Sequence, residues 1–358
     1  MILEKPILNY QYISRISPSN FTALKGCHYK FILNKAIGGK PVLPVSIHSY
    51  KGTFVHRILE HISLGKIRSE EELSNYINNE LKIINEQILN DGNSIYIPLH
   101  SKLKNFGLLK IKLKRFLIEK LKSKNPVTGI QFSSEKWYET NDKLVGGKID
   151  LVCEYSNRIE IIDFKTGAIT DELLDDEGEK FKEVKIDYQA QLKLYAALFH
   201  EQTGKKVDRL FLVDLQKNKY EISFSFDECN QLIREAKKIL MRINEEIATR
   251  IFLANPTIEN CKFCLNRPVC SYYKKSLSNG LKTSDIIGRI IKSQKFLNGN
   301  VSLFLQTQIG NVTIKNFEIS FFESFNKAIG KEIIIYNVQA DKMENSFLAN
   351  QLTRIYES

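Results

Sequence analysis

In the stretch RIEIIDFKTG, residues 158 to 167, an acid and a lysine stand two positions apart, Asp163 and Lys165, with apolar residues on either side of the acid in I-I-D-F-K. Successive side chains of a strand point to opposite faces, so Asp163 and Lys165 emerge together while Ile162 and Phe164 point the other way. An unpaired carboxylate is costly to bury, and an interior strand carrying one implies a metal ion or a tight ion pair. A second acid, Asp150, follows in GGKIDLVCEY on the run just before. Two carboxylates and a backbone carbonyl such as that of Phe164 are hard oxygen ligands suited to Mg2+ or Mn2+, which polarise a phosphate and acidify an attacking water. Lys165 would then orient that water or stabilise charge in the transition state. The plainer alternative is a buried Asp163–Lys165 salt bridge.

A second reactive group is CKFCLNRPVC, where Cys261, Cys264 and Cys270 fall within ten positions. A tight turn can set the first two thiolates on one centre, and the segment with Pro268 can return the third. Zinc and a [4Fe-4S] cluster both ask for a fourth ligand. Cys27, Cys153 and Cys229 remain in the chain, and His28 would make a Cys3His zinc site. Alternation along its strand turns Cys153 away from Asp150 towards a core, and Cys229 opens a helix among polar neighbours.

Composition narrows the partners. The chain has 358 residues, 52 Lys or Arg against 41 Asp or Glu, and a formal net charge of +11, which favours a polyanion, nucleic acid first. No apolar stretch approaches the roughly 20 residues of a membrane span, and no apolar run follows a basic start at the N-terminus, so no membrane association and a cytoplasmic location are expected. In that reducing compartment clustered cysteines read as metal or cluster ligands rather than disulfides. There is no G-x-x-x-x-G-K-[ST] loop, so no ATP motor is evident in the chain, which would act alone or with a separate helicase or other protein bound through its C-terminal domain.

The elements that must carry these residues follow from the pattern. Residues 14 to 37 read as one helix, capped by Ser17 or Ser19 with Pro18 at its start and Cys27 along it. From 52 to about 128 the pattern is a helical insertion broken near Gly92 and Pro98. Its second half is basic: between His100 and Pro126 lie nine Lys or Arg, from Lys102 to Lys124, against the single acid Glu119. Lys110, Lys112, Lys114 and Arg115 are candidate phosphate contacts, with Leu109, Leu113, Phe116 and Leu117 on a buried face; a merely solvated face is the equal alternative. Three β-like runs over 130 to 165 turn at Gly146-Gly147 and Ser156-Asn157. An amphipathic helix over 186 to 200, two further strands and a helix over 227 to 252 lead into the cysteine segment. After a linker-like SLSNGLKTSD, five strand patterns suggest a small C-terminal β-barrel with an OB-like one as first candidate. Phe296, Phe304 or Phe317 would stack single-stranded nucleic acid there, and a docking surface is the alternative.

GGKIDLV followed by IEIIDFKTG resembles the core signature of the PD-(D/E)xK nuclease superfamily, an acid on one strand and acid-x-lysine on the next. GTFVHRILEH with His56 and YQAQLKLYAALF with Gln191 and Tyr195 resemble the RecB/AddB-like branch with an iron-sulfur cluster. The resemblance implies an α/β fold, a restriction-endonuclease-like mixed sheet flanked by helices. It implies metal ligation by His56, Asp150, Asp163 and the Phe164 carbonyl, catalysis by Asp150, Asp163 and Lys165, and Gln191 and Tyr195 beside them. Glu135 in SSEKWYE is the candidate for the family's additional acid, with Glu139 as rival. It selects Cys27 as fourth ligand of Cys261, Cys264 and Cys270 around a [4Fe-4S] cluster, in preference to zinc, although His28 stands where proline is usual. The expected organisation is a nuclease domain over 1–275 and a β domain over 283–358. The expected function is a Mg2+- or Mn2+-dependent deoxyribonuclease, cutting single-stranded DNA from ends in repair, recombination or defence. The alternatives are an RNA nuclease and an inactive DNA-binding or scaffold subunit.

Overall fold

The structure, a computed structural model, describes residues 2–122, 131–174 and 180–358. Two compact units divide the chain. One joins Tyr12–Lys25 to Ser46–Ala248; the other joins Met1–Gln11, Gly26–Val45 and Thr249–Ser358. The boundary expected between residues 275 and 283 lies inside the second.

The helix expected over 14 to 37 is two helices, α1 (Pro18–Gly26) and α2 (His28–Ala36), and Cys27 sits between them in extended backbone. Asn260 Nδ2 donates to the Gly26 carbonyl at 3.0 Å, and a Cβ on residue 26 would come within 2.6 Å of Asn260 Oδ1. The first helix therefore ends where a distant segment claims its backbone, which no local periodicity records.

The helical insertion is α3 (Ile47–Ser63), α4 (Glu70–Asn90), the short α5 (Leu99–Lys102) and α6 (Phe106–Lys122). Ser46 and Ser69 cap α3 and α4 by accepting from His48 N and Glu72 N. Phe54, Ile58 and Ile62 of α3 share the buried interior of this bundle with Ile77, Ile84 and Ile88 of α4 and with Leu109, Leu113 and Leu117 of α6. Phe116 departs from the expected buried face: only partly covered, it meets the Phe164 ring edge-on at 6.0 Å. Lys124 lies outside the described residues.

A five-stranded mixed sheet follows: β1 (Gln131–Glu139), β2 (Gly146–Glu154), β3 (Ile159–Phe164), β6 (Arg209–Val213) and β7 (Lys219–Ile222), in spatial order β1-β2-β3-β6-β7. The first three form an antiparallel meander, β3 and β6 are parallel, and β7 returns antiparallel. Between β3 and β6 run a ribbon of β4 (Thr170–Leu174) and β5 (Lys180–Val184) and the helix α7 (Ile186–Thr203). The ribbon is not legible in the charged sequence TDELLDDEGEKFKEV, because its strands pair only with each other. α7 is not the amphipathic helix expected: Ala190, Leu192, Leu194, Ala196, Leu198 and Phe199 are buried around its circumference together with Gln191 and Tyr195. The long α8 (Phe226–Thr249) adds Cys229, Ile233 and Ala236 to the same core.

Gly146 and Gly147 make no turn. The turn is at Asn141–Leu144, and both glycines lie inside β2, where close approach demands them. A Cβ on Gly147 would stand 2.9 Å from Pro18 Cδ and 3.2 Å from Tyr195 Cε1.

In the other unit, α9 (Ile258–Lys262) and α10 (Ser271–Ser278) precede a seven-stranded sheet curled into a half-barrel. Its strands are β8 (Ile286–Lys295), β9 (Val301–Thr307), β10 (Gly310–Phe317), β11 (Glu332–Tyr336), β12 (Gln339–Ala340), β13 (Ser346–Leu348) and β14 (Arg354–Glu357), in order β12-β13-β10-β9-β8-β11-β14, with α11 (Phe322–Lys327) between β10 and β11. Five expected strands become seven because the fourth breaks near Asn337, where φ is 60°, and the fifth breaks over 349–353. Phe317 is 4% exposed and packs edge-on against Phe325 at 4.9 Å, so it offers no stacking face; Phe296 is exposed. The expected linker is also structured: α10 enters it and Asp285 closes it, buried, with Arg267 Nε donating to its carboxylate at 2.7 Å.

Candidate active site

β2 and β3 bring Asp150 and Asp163 to one face of the five-stranded sheet. Phe164 N donates to Asp150 Oδ2 at 2.8 Å, which fixes the first carboxylate against the strand that carries the second. Asp163, 2% exposed, lies 2.8 Å through Oδ2 from Lys165 Nζ. Lys165 Nζ also donates to Gln191 Oε1 at 2.9 Å and rests 4.5 Å over the Tyr188 ring. Gln191 Nε2 reaches Asp163 Oδ1 and Tyr195 OH, each at 3.2 Å. The amide thus holds acid and lysine from α7 at once, and the residues one helical turn apart on that helix act as one scaffold.

From the other side, α3 and β1 deliver His56 and Glu135. His56 Nε2 stands 3.2 Å from Glu135 Oε1 and 3.3 Å from Asp150 Oδ1. Glu135 adopts φ 50°, a left-handed conformation costing a non-glycine residue on the order of 1 kcal/mol. The β1–β2 register pairs Ser134 with Leu151 and Lys136 with Ile149, leaving Glu135 unpaired opposite Asp150. That irregularity aims its carboxylate at the histidine, while Lys148 Nζ stands 3.6 Å from its other oxygen. Glu139, the rival, is engaged elsewhere by Arg15 at 2.8 Å and Trp137 Nε1 at 2.8 Å.

The electrostatics express crowded acids. Burial pulls the His56 imidazole down, but the contacts with Asp150 and Glu135 outweigh it and raise its pKa to about 10. Glu135 is held low, first by His56. Asp163 is pushed up by burial and then by the Asp150 charge, with Lys165 opposing. A divalent cation fits this arrangement. One ligand atom each of His56, Glu135 and Asp150 lies within 4.8 Å of the others, and the buried His56 Nε2 and Asp163 Oδ2 atoms meet only ion-pair neighbours, with no hydrogen bond of good geometry.

The profile of the PD-(D/E)XK nuclease superfamily matches residues 15–271. The chain belongs to this nuclease superfamily. Among curated relatives, an ATP-dependent helicase/nuclease subunit from Clostridium botulinum strain Langeland is 27% identical over 191 residues, covering 50% of this chain and 13% of the relative. Its counterpart of the same name from Alkaliphilus metalliredigens is 28% identical over 171 residues, 45% of this chain and 13% of the relative. The match therefore spans only a small part of those proteins' length. A crystal structure of a candidate exonuclease from Eubacterium rectale aligns with a TM-score of 0.43 and 13% identity, over 70% of this chain and 86% of that one.

In this nuclease the basic residues of α6 separate by partner. Lys112 lines a crevice together with Lys165; Arg115 lines a smaller hollow with Phe116 and Lys217; Lys114 is 2.6 Å from Glu70; Lys110 is exposed. Tyr188, Lys148 and Lys51 also stand around the catalytic group. Tyr188 opens YQAQLKLYAALF one turn before Gln191 and Lys148 lies within GGKIDLV, but the resemblance gives neither a role, and Lys51 carries no signal in the sequence.

The four cysteines Cys27, Cys261, Cys264 and Cys270 line one small cavity in the other unit, all as free thiols. Burial pushes the Cys261 and Cys270 thiols up to about 12. Asn255 N donates to Cys27 Sγ at 3.5 Å and Tyr273 N to Cys270 Sγ at 3.4 Å, contacts that would support sulfur ligands; the four sulfurs are not gathered as closely as the His56, Glu135 and Asp150 ligand atoms, a spacing that suits a cluster better than a single ion. Arg267 Nη1 donates to the carbonyls of Cys261 and Cys264 at 3.0 and 2.8 Å, wrapping the loop. Cys153 and Cys229 are buried in the nuclease sheet's unit. Among the described residues no helix is long and apolar enough to cross a membrane.

Proposed function

We propose that this chain is a metal-dependent deoxyribonuclease that hydrolyses phosphodiesters, acting on single-stranded ends. The carrying observation is the convergence of His56, Glu135 and Asp150 within 4.8 Å beside the Asp163–Lys165 pair at 2.8 Å. His56, Asp150, Asp163 and the Phe164 carbonyl, with Glu135, would hold Mg2+ or Mn2+. When bound, the ion supplies Lewis acidity to the phosphate and a more acidic water. Lys165, fixed by Asp163, Gln191 and the Tyr188 face, presents an ammonium where negative charge grows on the phosphoryl oxygens. Gln191 and Tyr195 keep that lysine from drifting, and Lys110, Lys112, Lys114 and Arg115 offer charge for the strand's backbone.

The four cysteines are read as ligands of a [4Fe-4S] cluster, with zinc as the alternative, in a structural role within the 1–275 nuclease region. The region over 283–358 would then serve strand or partner binding, the partner being a separate helicase or another protein. The setting is cytoplasmic, where thiols stay reduced.

End-labelled single- and double-stranded DNA of both polarities, and RNA, digested with Mg2+ or Mn2+ and with EDTA, tests this. Wild type is expected to cut DNA and stop with EDTA, and Asp163→Ala to lose at least about a hundredfold in rate while still binding. Undiminished cutting by the variant would sink the assignment; binding without cutting under either metal is the result for a scaffold protein.

A further inference from the structure

β3 and β6 run parallel, and beyond their carboxyl ends lies a crevice of about 360 Å3. Ligands bind outside the carboxyl ends of parallel strands because the connections part there and leave backbone groups available. The walls are Lys51 of α3, Lys112 of α6, Lys165 and Thr166 after β3, Gln216 after β6, and Tyr220 of β7. A Cβ on Gly52 would meet Thr166 Oγ1 at 3.4 Å, so α3 lies close against the turn after Lys165 and sets Lys51 at the crevice. A Cβ on Gly167 would meet nothing within 4 Å, so the floor is open.

Charge decides the class of ligand. Among the described residues, three ammonium groups face a single carboxylate, Asp214, which is committed to its own loop through Gln216 N at 2.8 Å, Asn218 N at 2.9 Å and Asn218 Nδ2 at 2.8 Å. Lys165 is matched by Asp163. Among the described residues neither Lys51 nor Lys112 forms a salt bridge with an acid. With its amide turned over, Gln216 would accept from Lys112 Nζ at 3.0 Å and donate to Asp214 Oδ2 at 3.2 Å, an orientation that satisfies both ends of the amide and would hold that ammonium in place. Two positioned cations, a hydroxyl, open backbone and an aromatic wall are the donors a phosphodiester and its sugar require.

We propose that this crevice binds the phosphodiester next to the scissile one in the strand being cut, with Lys51 and Lys112 as its cations. This rests on the nuclease reading above. Lys165 borders both places, so a phosphate here fixes the register of the strand on the catalytic group.

The test uses the full chain as wild type, Lys51→Ala/Lys112→Ala and the stem-preserving Lys51→Gln/Lys112→Gln, with thermal midpoints compared to show folding. Substrates are single-stranded deoxyoligonucleotides carrying one neutral methylphosphonate at each phosphate flanking the cut. Both double variants are expected to raise KM about tenfold with kcat held within about threefold, and to flatten the log–log salt dependence of binding by about 0.7 per lost contact. One flanking methylphosphonate should weaken wild type to a similar degree and leave the variants unaffected. Variants that bind and cut like wild type, or a methylphosphonate effect equal in both proteins at every position, would overturn the crevice assignment. A wild type that cuts no nucleic acid would refute the nuclease reading instead, and the salt slopes of binding still decide the crevice.

Discussion

His56 stands between two acids. With Asp150 and Glu135 within 3.3 Å, its proton acts as the cation between two acids and its pKa stands at about 10 instead of near 6.5. The sign follows: a raised folded pKa contributes stability in full below about 6.5 and loses it as pH climbs through 10. In urea unfolding of the metal-free protein, the stability margin of wild type over His56→Gln is therefore expected to shrink steadily between pH 6.5 and 10. A margin constant over that window would mean that the imidazole carries no proton between the acids. Glu135 shows why this residue scale was partly hidden. Nothing in SSEKWYE marks the left-handed φ that turns its carboxylate to His56, because the twist is imposed by what β1 faces across the sheet.

At the scale of elements, β2 and α7 illustrate two kinds of constraint. The I-I-D-F-K strand and the acid on its neighbour were legible because alternation is a backbone property, and the β2–β3 register confirms that they pair. The glycines of β2 read as a turn, yet Gly147 is there to admit Pro18 and Tyr195, and Gly146 to admit Trp137 and Glu139. Gly147→Ala is expected to destabilise the protein by about 1–3 kcal/mol through overpacking, and to lower cutting because the displaced Tyr195 loosens Gln191. Chemical denaturation and rate measurements check the two effects separately, and an unchanged denaturation midpoint would show that Pro18 yields at no cost. α7 misled for a related reason: it is apolar nearly all round because it crosses the face of the sheet, while Gln191 and Tyr195 satisfy one another with Asp163.

For the molecule as a whole, the segment between α10 and β8 is a joint rather than a tether. Asp285 accepts from Arg267 Nε at 2.7 Å, from Tyr273 OH at 2.6 Å and from Asn337 N at 2.9 Å, joining the cysteine loop to the curled sheet through one buried carboxylate. Asp285→Ala leaves the Arg267 guanidinium buried and unpaired, and a loss of about 3–5 kcal/mol is expected. The paired change Arg267→Met with Asp285→Leu should recover part of that in the unfolding midpoint, because it removes the orphaned charge as well. Equal losses in the single and paired variants would show that the ion pair itself, not its desolvation, holds the joint.

By itself the sequence determined what short-range backbone geometry can encode: Asp163 and Lys165 on one strand face, Asp150 on the strand before, Gln191 and Tyr195 one helical turn apart, and three cysteines in one loop. Tertiary structure decided which of these meet distant partners. It set His56 and Glu135 against Asp150, broke the N-terminal helix at Cys27 beside a loop more than two hundred residues away, buried Phe317, and opened the lysine-lined crevice at the ends of β3 and β6. Periodicity fixes which way a side chain points within its own element. What it meets depends on closing long loops around a shared core, and that cost is met only by burial spread over the whole unit.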